Sequence, residues 1–370
     1  MDTRKYIYHP EKLKSNIEAI RKEFGSRLKD FELAYSFKTN CHPYVIEDVK
    51  KSGIKAEVVS TEEYEKALAF GWKENEIIYN GVCKEKEIFY RCALAGGIVN
   101  IDGREELSWA EEYFEQNRSP LAIGLRLNFD VGNGIKSRFG IEVGSDLYEK
   151  IVGLSKRGKI IVRGQSCHFT ATRQKRFWIR KVEGLAKAVM DFPSGEYLDF
   201  GGSLAGSYEK VDPRKKSAGE EIDFASIAEA ISETLRKYGQ ENKKIILECG
   251  TAVVGSAFDI EGTVLSIKES GFVVLDVSFK DMIMSSIGDS LLIEVVSGGR
   301  NQEMLRNYTL TGCTCLENDI IKKGFNGKLA IGDRLVFKNT GAYTLCFANS
   351  FIKAPLGVVF PANKSSSNAT

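Results

Sequence analysis

The stretch Phe31-Glu32-Leu33-Ala34-Tyr35-Ser36-Phe37-Lys38-Thr39-Asn40 frames the reading of the whole chain. A short apolar run ends in a lysine and then an asparagine, which reads as a buried strand over 31–37 with Lys38 at its C-terminal end. An ammonium group is costly to bury unpaired, and a lysine partly withdrawn from water becomes nucleophilic as its pKa falls. The plainer alternative is a lysine that snorkels from a strand end into solvent, the common fate of this residue type. What the neighbouring strands place beside Lys38 decides between the two.

Outward from that strand the pattern repeats. Strand-like runs recur at 31–37, 56–60, 76–81, 97–102, 121–129, 161–169, 196–202 and 244–254, with helical stretches between them. In the stretch after 56–60, Ser60 or Thr61 can cap a helix whose early glutamates complement its positive end. Residues 84–94, 104–116 and 225–238 read as further helices. This alternation predicts an (α/β)8 barrel of the TIM type, with an open doubly wound sheet as the structural competitor. The dinucleotide fingerprint of that competitor is absent, because Gly201-Gly202-Ser203-Leu204-Ala205-Gly206 lacks its spacing. After residue 256 the helical crossovers stop. Runs at 259–267, 272–279, 291–297, 334–338 and 343–348 predict a C-terminal β domain, sandwich- or barrel-like. The expected organisation is a barrel over 11–255, a β domain over 256–362 to which residues 1–10 add a strand, and a disordered polar tail over 363–370.

The 370 residues exceed one ordinary core, which suits a large barrel plus a smaller domain. The 52 basic and 50 acidic residues leave a net charge of +2, so nucleic acid and membrane surfaces are not expected partners. No apolar run approaches a spanning helix, and the start Met1-Asp2-Thr3-Arg4-Lys5-Tyr6 offers no core for a signal peptide, so a cytoplasmic protein is expected. Cysteines stand at 41, 83, 92, 167, 249, 313, 315 and 346, without paired zinc spacing. With only His9, His42 and His168 beside them, no metal site is expected, and most of the thiols are expected reduced and buried.

In a barrel of this kind, chemistry gathers at the C-terminal ends of the strands. Those ends supply Lys38, Glu57, Arg126, Ser166-Cys167-His168-Phe169-Thr170, Asp199-Phe200-Gly201-Gly202-Ser203 and Glu248-Cys249-Gly250-Thr251. Gly201, Gly202 and Ser203 could present backbone N–H groups to an anion, or form a plain turn. Glu248 could stabilise a protonated ring nitrogen, or make a surface ion pair. His168 could stack on a planar ligand, or be a satisfied core imidazole.

Taken together, the motifs resemble those of the ornithine/diaminopimelate decarboxylase family, pyridoxal-phosphate enzymes of fold type III with an alanine-racemase-like barrel. Tyr35-Ser36-Phe37-Lys38-Thr39-Asn40 resembles its lysine motif, and Ser137-Arg138-Phe139-Gly140-Ile141 the loop after its fifth strand. Ser166-Cys167-His168 resembles its histidine motif, and Leu198-Asp199-Phe200-Gly201-Gly202 its glycine motif. Gly312-Cys313-Thr314-Cys315-Leu316-Glu317-Asn318-Asp319 resembles its cysteine motif, and Asn339-Thr340-Gly341-Ala342-Tyr343-Thr344 its tyrosine motif. They occur in the family's order and span residues 5 to 355.

The resemblance implies an amino-acid decarboxylase that uses pyridoxal 5'-phosphate. Lys38 would hold the cofactor covalently, with Glu57 as the acidic residue near it and Arg126 among the cofactor contacts. His168 would stack on the ring, and Glu248 would pair with its nitrogen. Gly201, Gly202, Ser203, Gly250, Thr251 and Tyr343 would surround the phosphate. Cys315, from the partner in a homodimer, would protonate the substrate carbon. Three departures follow. The family's Glu-Pro-Gly-Arg reads Glu248-Cys249-Gly250-Thr251, so the phosphate-gripping arginine is missing, and Arg173 is a candidate substitute. The acid that follows the family's catalytic cysteine is replaced by Leu316, with Glu317 beside it. Asp281-Met282-Ile283-Met284-Ser285-Ser286 lacks the arginine that diaminopimelate decarboxylases place near Met284. A carboxylate with no cation partner is costly to bury, so the expected substrate is a non-standard or conjugated amino acid rather than meso-diaminopimelate. An amino-acid racemase on the same barrel and a catalytically inactive regulatory homologue are the alternatives.

Overall fold

The computed structural model describes residues 4–170, 172, 174–204, 223–282, 291–296 and 301–361. Two compact units emerge. One comprises 17–205 with 218–250, and the other comprises 1–16 with the chain from 251 onward.

The first unit is the barrel. After β1 (Lys5–Tyr8), which belongs to the other unit, its strands are β2 (Phe31–Ser36), β3 (Lys55–Val58), β4 (Ile77–Tyr79), β5 (Ile98–Ile101) and β6 (Leu121–Asn128). A two-residue β7 (Ile141–Glu142) pairs parallel with the end of β6, and β8 (Ile160–Ser166), β9 (Tyr197–Asp199) and β10 (Lys244–Cys249) complete the set. The parallel order β5-β4-β3-β2-β10-β9-β8-β6 closes through β5–β6 pairing. The strands are short apolar runs buried on both faces, as a parallel sheet covered by helices requires. Helices such as Thr61–Ala69, Asp146–Lys156 and Phe224–Lys237 lie between them. Each starts on the expected chemistry: Ser60 accepts from Glu63 N at 3.2 Å, Ser145 from Tyr148 N at 3.3 Å and Asp223 from Ala225 N at 3.1 Å.

Every expected barrel strand is present, trimmed by a few residues. The largest difference is at 244–254. The strand stops at Cys249, and Thr251–Val254 is a single helical turn. Gly250 marks the change, because a Cβ there would run into the Thr39 side chain.

In the second unit, β11 (Phe258–Lys268), β12 (Phe272–Leu275), β13 (Ile293–Val296), β14 (Glu303–Thr311), β15 (Ile320–Leu329) and β16 (Arg334–Phe337) order as β13-β16-β11-β12-β14-β15. As expected, the N-terminus adds a strand: β1 pairs antiparallel with β11, Tyr6 opposite Ile260, and parallel with β17 (Gly357–Val359). Two expectations fail. The run 343–348 is no strand, because Tyr343 adopts a left-handed φ of 55° and Leu345–Phe347 forms a 3-10 turn. The run 272–279 is a strand only to Leu275. Conversely, β14 and β15 leave little strand signal in the sequence, since most of their side chains are exposed or half-exposed and carry little apolar alternation. The expected tail over 363–370 lies outside the described residues.

Candidate active site

Strand β2 ends at Ser36, and Phe37–Thr39 form one 3-10 turn. Phe37 and Thr39 are buried, while the Lys38 side chain keeps 35 % of its surface. Its Nζ donates to Glu57 Oε2 at 2.5 Å and to Ser36 Oγ at 2.7 Å, and the Ser36 hydroxyl donates onward to Glu57 Oε2. The lysine therefore does not snorkel. It closes a triangle with a carboxylate that is 1 % exposed. Burial pushes the Glu57 carboxyl up, but the Lys38 charge and hydrogen bonds from Lys38, Ser36 and Asn80 outweigh it and hold the pKa below the usual value.

Asn80 follows β4 and joins this triangle to Glu248 at the end of β10. Its Nδ2 donates to Glu57 Oε1 at 3.1 Å and to Glu248 Oε1 at 2.6 Å. Its Oδ1 accepts from Asn100 Nδ2 at 2.8 Å, and Asn100 Oδ1 accepts from Tyr197 OH at 3.2 Å. Gly124 makes room for this chain, since a Cβ there would collide with Asn100 and Tyr197. Glu248 is 6 % exposed. Burial and the Glu57 charge push its pKa up to about 7, against the opposing pull of Lys38. The Asp199 carboxyl is held well above the usual range by burial and by Glu248.

His168 sits just past β8, and its Nδ1 accepts the Gly202 N–H at 3.1 Å. That bond leaves the proton of a neutral imidazole on Nε2. Burial, then the charges of Lys38, Lys181 and Arg126, hold the ring pKa well below its usual value, so the ring is neutral. The glycine turn differs from expectation. The Gly201 N–H donates to Asp199 Oδ1 at 2.8 Å and the Gly202 N–H to His168. Neither is presented to an outside anion. Both glycines are nevertheless required: at Gly201, with φ 62°, a Cβ would lie 2.7 Å from His168 Nδ1, and at Gly202 it would lie 2.8 Å from the Glu248 carbonyl.

Arg126 Nη1 pairs with Asp102 Oδ1 at 3.2 Å, and its guanidinium lies 4.7 Å from the Phe139 ring centroid. The same Asp102 oxygen accepts the Gly140 N–H at 3.0 Å, which ties down the 137–141 loop.

In the other unit, Asp319 is 2 % exposed and organises the loop that bears Cys315. Its Oδ1 accepts from Ser278 Oγ at 3.0 Å and Phe279 N at 2.9 Å, and its Oδ2 from Thr314 N at 3.0 Å and Thr314 Oγ1 at 2.6 Å. Cys315, Leu316 and Glu317 are exposed on that loop. Tyr343 holds a left-handed backbone that aromatic residues rarely adopt. Thr251 opens the turn Thr251–Val254. Arg173 and Met284 lie outside the described residues. All eight cysteines are free, but only Cys92, Cys167 and Cys249 are buried, fewer than expected. Among the described residues no group of side chains could hold a metal ion, and no helix is long and apolar enough to cross a membrane.

Residues 11–255 match the model of the pyridoxal-dependent decarboxylases, over their pyridoxal-binding domain. The chain belongs to that family. A diaminopimelate decarboxylase of Methanocaldococcus jannaschii is 26 % identical over 94 % of this chain and 83 % of its own length. The crystal structure of a diaminopimelate decarboxylase from the same organism shares the fold at TM-score 0.85 and 23 % identity, covering 98 % of this chain and 88 % of that one. The arginine decarboxylase of Paramecium bursaria Chlorella virus does so at TM-score 0.79 and 19 % identity, covering 98 % and 96 %.

As a pyridoxal-dependent decarboxylase, the chain uses pyridoxal phosphate to remove CO2 from an amino acid. Its barrel fits that cofactor. Lys38 offers, just past the C-terminal end of β2, an amine that is part-exposed and carboxylate-bound. Glu248, raised to about 7 by burial, becomes a better anion once a cation such as a protonated ring nitrogen stands beside it. When bound, the ring supplies an electron sink for the pair left behind by CO2. Sequence reasoning missed Ser36, Asn80, Asn100 and Asp319 as parts of the machinery. Asn80 is legible in the sequence, because it stands at a strand's C-terminal end, where a barrel gathers its chemistry.

Proposed function

We propose that this decarboxylase acts on a non-standard or conjugated amino acid rather than meso-diaminopimelate and releases the corresponding amine. Leu316 carries the reading: it directly follows Cys315, is 41 % exposed, and offers no charge to a substrate's distal end. A distal ammonium or amino-acid head gains no charge partner from Leu316, whereas an apolar or acylated end is compatible with it. The Met284 region, which bears on the same question, lies outside the described residues.

In this reading Lys38 binds the cofactor, Glu57 keeps the lysine oriented, Glu248 pairs with the ring nitrogen and the neutral His168 lies against the ring face. Arg126, Gly250, Thr251 and Tyr343 complete the cofactor surroundings, and Glu317 lies beside the substrate. Cys315 of a second copy of the chain delivers the proton to the substrate's α-carbon, so the working unit is a homodimer with shared sites, placed in the cytoplasm. Release of CO2 from meso-diaminopimelate, lysine, ornithine, arginine and their N-acylated or conjugated forms tests the substrate. A conjugated or non-standard amino acid should give the highest kcat/KM. Preference for meso-diaminopimelate would overturn the reading.

A further inference from the structure

Lys181 lies on the helix Lys175–Ala188, and its side chain is wholly buried. Helix positions that face a barrel are normally apolar. Its ammonium lies 3.6 Å from the Trp178 ring centroid. Its single hydrogen bond among the described residues is a long one, from Nζ to the Gly202 carbonyl at 3.3 Å. A buried ammonium with so few partners is costly, and an apolar side chain of the same length would be the more stable choice at this position.

The glycine turn shows what the cation can do. The Gly201 carbonyl accepts from Glu248 N at 3.0 Å, and the Gly201 and Gly202 N–H groups are bound to Asp199 and His168. The Gly202 carbonyl is held by Lys181. In a trans peptide the carbonyl and the following N–H point in opposite directions, and the chain has no cis bond among the described residues. Anchoring the Gly202 carbonyl from the helix side therefore aims the Ser203 N–H away from the helix. Ser203 is locked into this pose: its φ is 77°, and its Oγ donates to the Phe169 carbonyl at 2.7 Å. Its N–H meets no acceptor among the described residues. The turn thus exposes one fixed donor with a buried positive charge directly behind it, which is the arrangement of an anion site.

We propose that Lys181 is a positioning residue and buried countercharge for the cofactor phosphate, acting through the Gly202–Ser203 peptide. The inference rests on the decarboxylase reading of this site. It also accounts for Thr251, which carries no charge: the cation comes from beneath the turn rather than from the segment after β10.

The test compares pyridoxal 5'-phosphate with pyridoxal, which lacks the phosphate, on the full chain stripped of cofactor. Binding is followed by the visible absorbance of the Lys38-attached chromophore. Lys181→Met should weaken pyridoxal phosphate by roughly ten- to fiftyfold, as loss of a nearby charge and a charge-assisted bond allows, and should leave pyridoxal affinity unchanged. Competition by inorganic phosphate should weaken in parallel. If Lys181 instead only balances the Asp199 and Glu248 carboxyls, both ligands would weaken equally, and the proposal falls. Should Lys181→Met not fold, Lys181→Gln is read in the same way, since it keeps a donor for the Gly202 carbonyl without the charge. A wild-type chain that binds pyridoxal phosphate with no Lys38-dependent band would overturn the parent reading along with the proposal. A normal wild-type band with an unchanged phosphate preference in the variant would overturn the proposal alone.

Discussion

The Asn80 side-chain amide lies 2.6 Å from Glu248 Oε1, and the same nitrogen reaches Glu57 Oε1 at 3.1 Å. One amide thereby serves two buried carboxylates, one beside Lys38 and one at the end of β10, the residue proposed to pair with the cofactor's ring nitrogen. Removing a buried hydrogen-bond donor leaves its acceptors unsatisfied, at a cost of about 1–3 kcal/mol. Asn80→Ala should therefore weaken pyridoxal phosphate binding by roughly tenfold or more, and Asn80→Asp should weaken it further by adding another acid beside Glu57, Glu248 and Asp199. Spectroscopic titration of the cofactor-stripped chain measures both. Equal affinities for wild type and Asn80→Asp would show that the bridge is incidental.

The raised Glu248 makes stability depend on pH in the cofactor-free chain. Its carboxyl titrates near 7 in the folded state, above the 4.5 of a free glutamate, because burial and Glu57 disfavour the anion, while Lys38 and hydrogen bonds with Asp199 and Asn80 oppose them. The folded state thus binds the proton more tightly. The contribution is full below the unfolded pKa, declines as pH rises from about 4.5 to 7, and is constant above that. Glu248→Gln, which cannot ionise, should be more stable than wild type at pH 8, by up to on the order of 2–3 kcal/mol, and the two should converge near pH 4. Thermal melts across this range decide it. Saturation with pyridoxal phosphate should remove the difference, since the ring cation then supports the ionised carboxylate.

Much of this architecture was legible from residue order. Parallel barrel strands are buried on both faces, so they appear as uninterrupted apolar runs such as Ile77-Ile78-Tyr79. The polar residue that ends such a run, as Lys38 and Asn80 do, then marks the barrel mouth. The ribbon of β14 and β15 was hidden because it buries few side chains, and hydrophobic periodicity reads burial rather than backbone pairing. Tyr343 misled for the opposite reason: an apolar run reads as a strand whatever its backbone does, and only the φ of 55° reveals the turn. The spent N–H groups of Gly201 and Gly202 were equally unreadable, since their acceptors, Asp199 Oδ1 and His168 Nδ1, depend on side-chain placement.

Asp319 fixes the Cys315 loop through bonds to Thr314 on one side and to Ser278 and Phe279 on the other. Gly312 packs against its carboxylate, where a Cβ would not fit. Asp319→Ala should cost about 2–4 kcal/mol by leaving several buried donors unpaired. Asp319→Asn keeps the size, and its activity reports on loop placement. It should lower kcat by roughly tenfold, as misplacement of a proton donor does, while the Lys38-dependent absorbance stays at the wild-type level. A parallel loss of absorbance would mean that Asp319 serves the cofactor rather than the cysteine loop.

If Cys315 works in the site of another copy, two dead variants should rescue each other. Lys38→Ala and Cys315→Ala homodimers each lack one essential group in both sites. Mixing subunits under conditions of exchange gives about half heterodimers, each with one intact site built from the Lys38 of one copy and the Cys315 of the other. The mixture should therefore recover about a quarter of wild-type activity, and recovery should track the heterodimer fraction measured by differential tagging. A cysteine acting within its own chain predicts none, because every heterodimer would then carry one site without the lysine and one without the cysteine. The distinction needs only CO2 release and an exchange control, and it separates a shared site from a dimer that is merely structural.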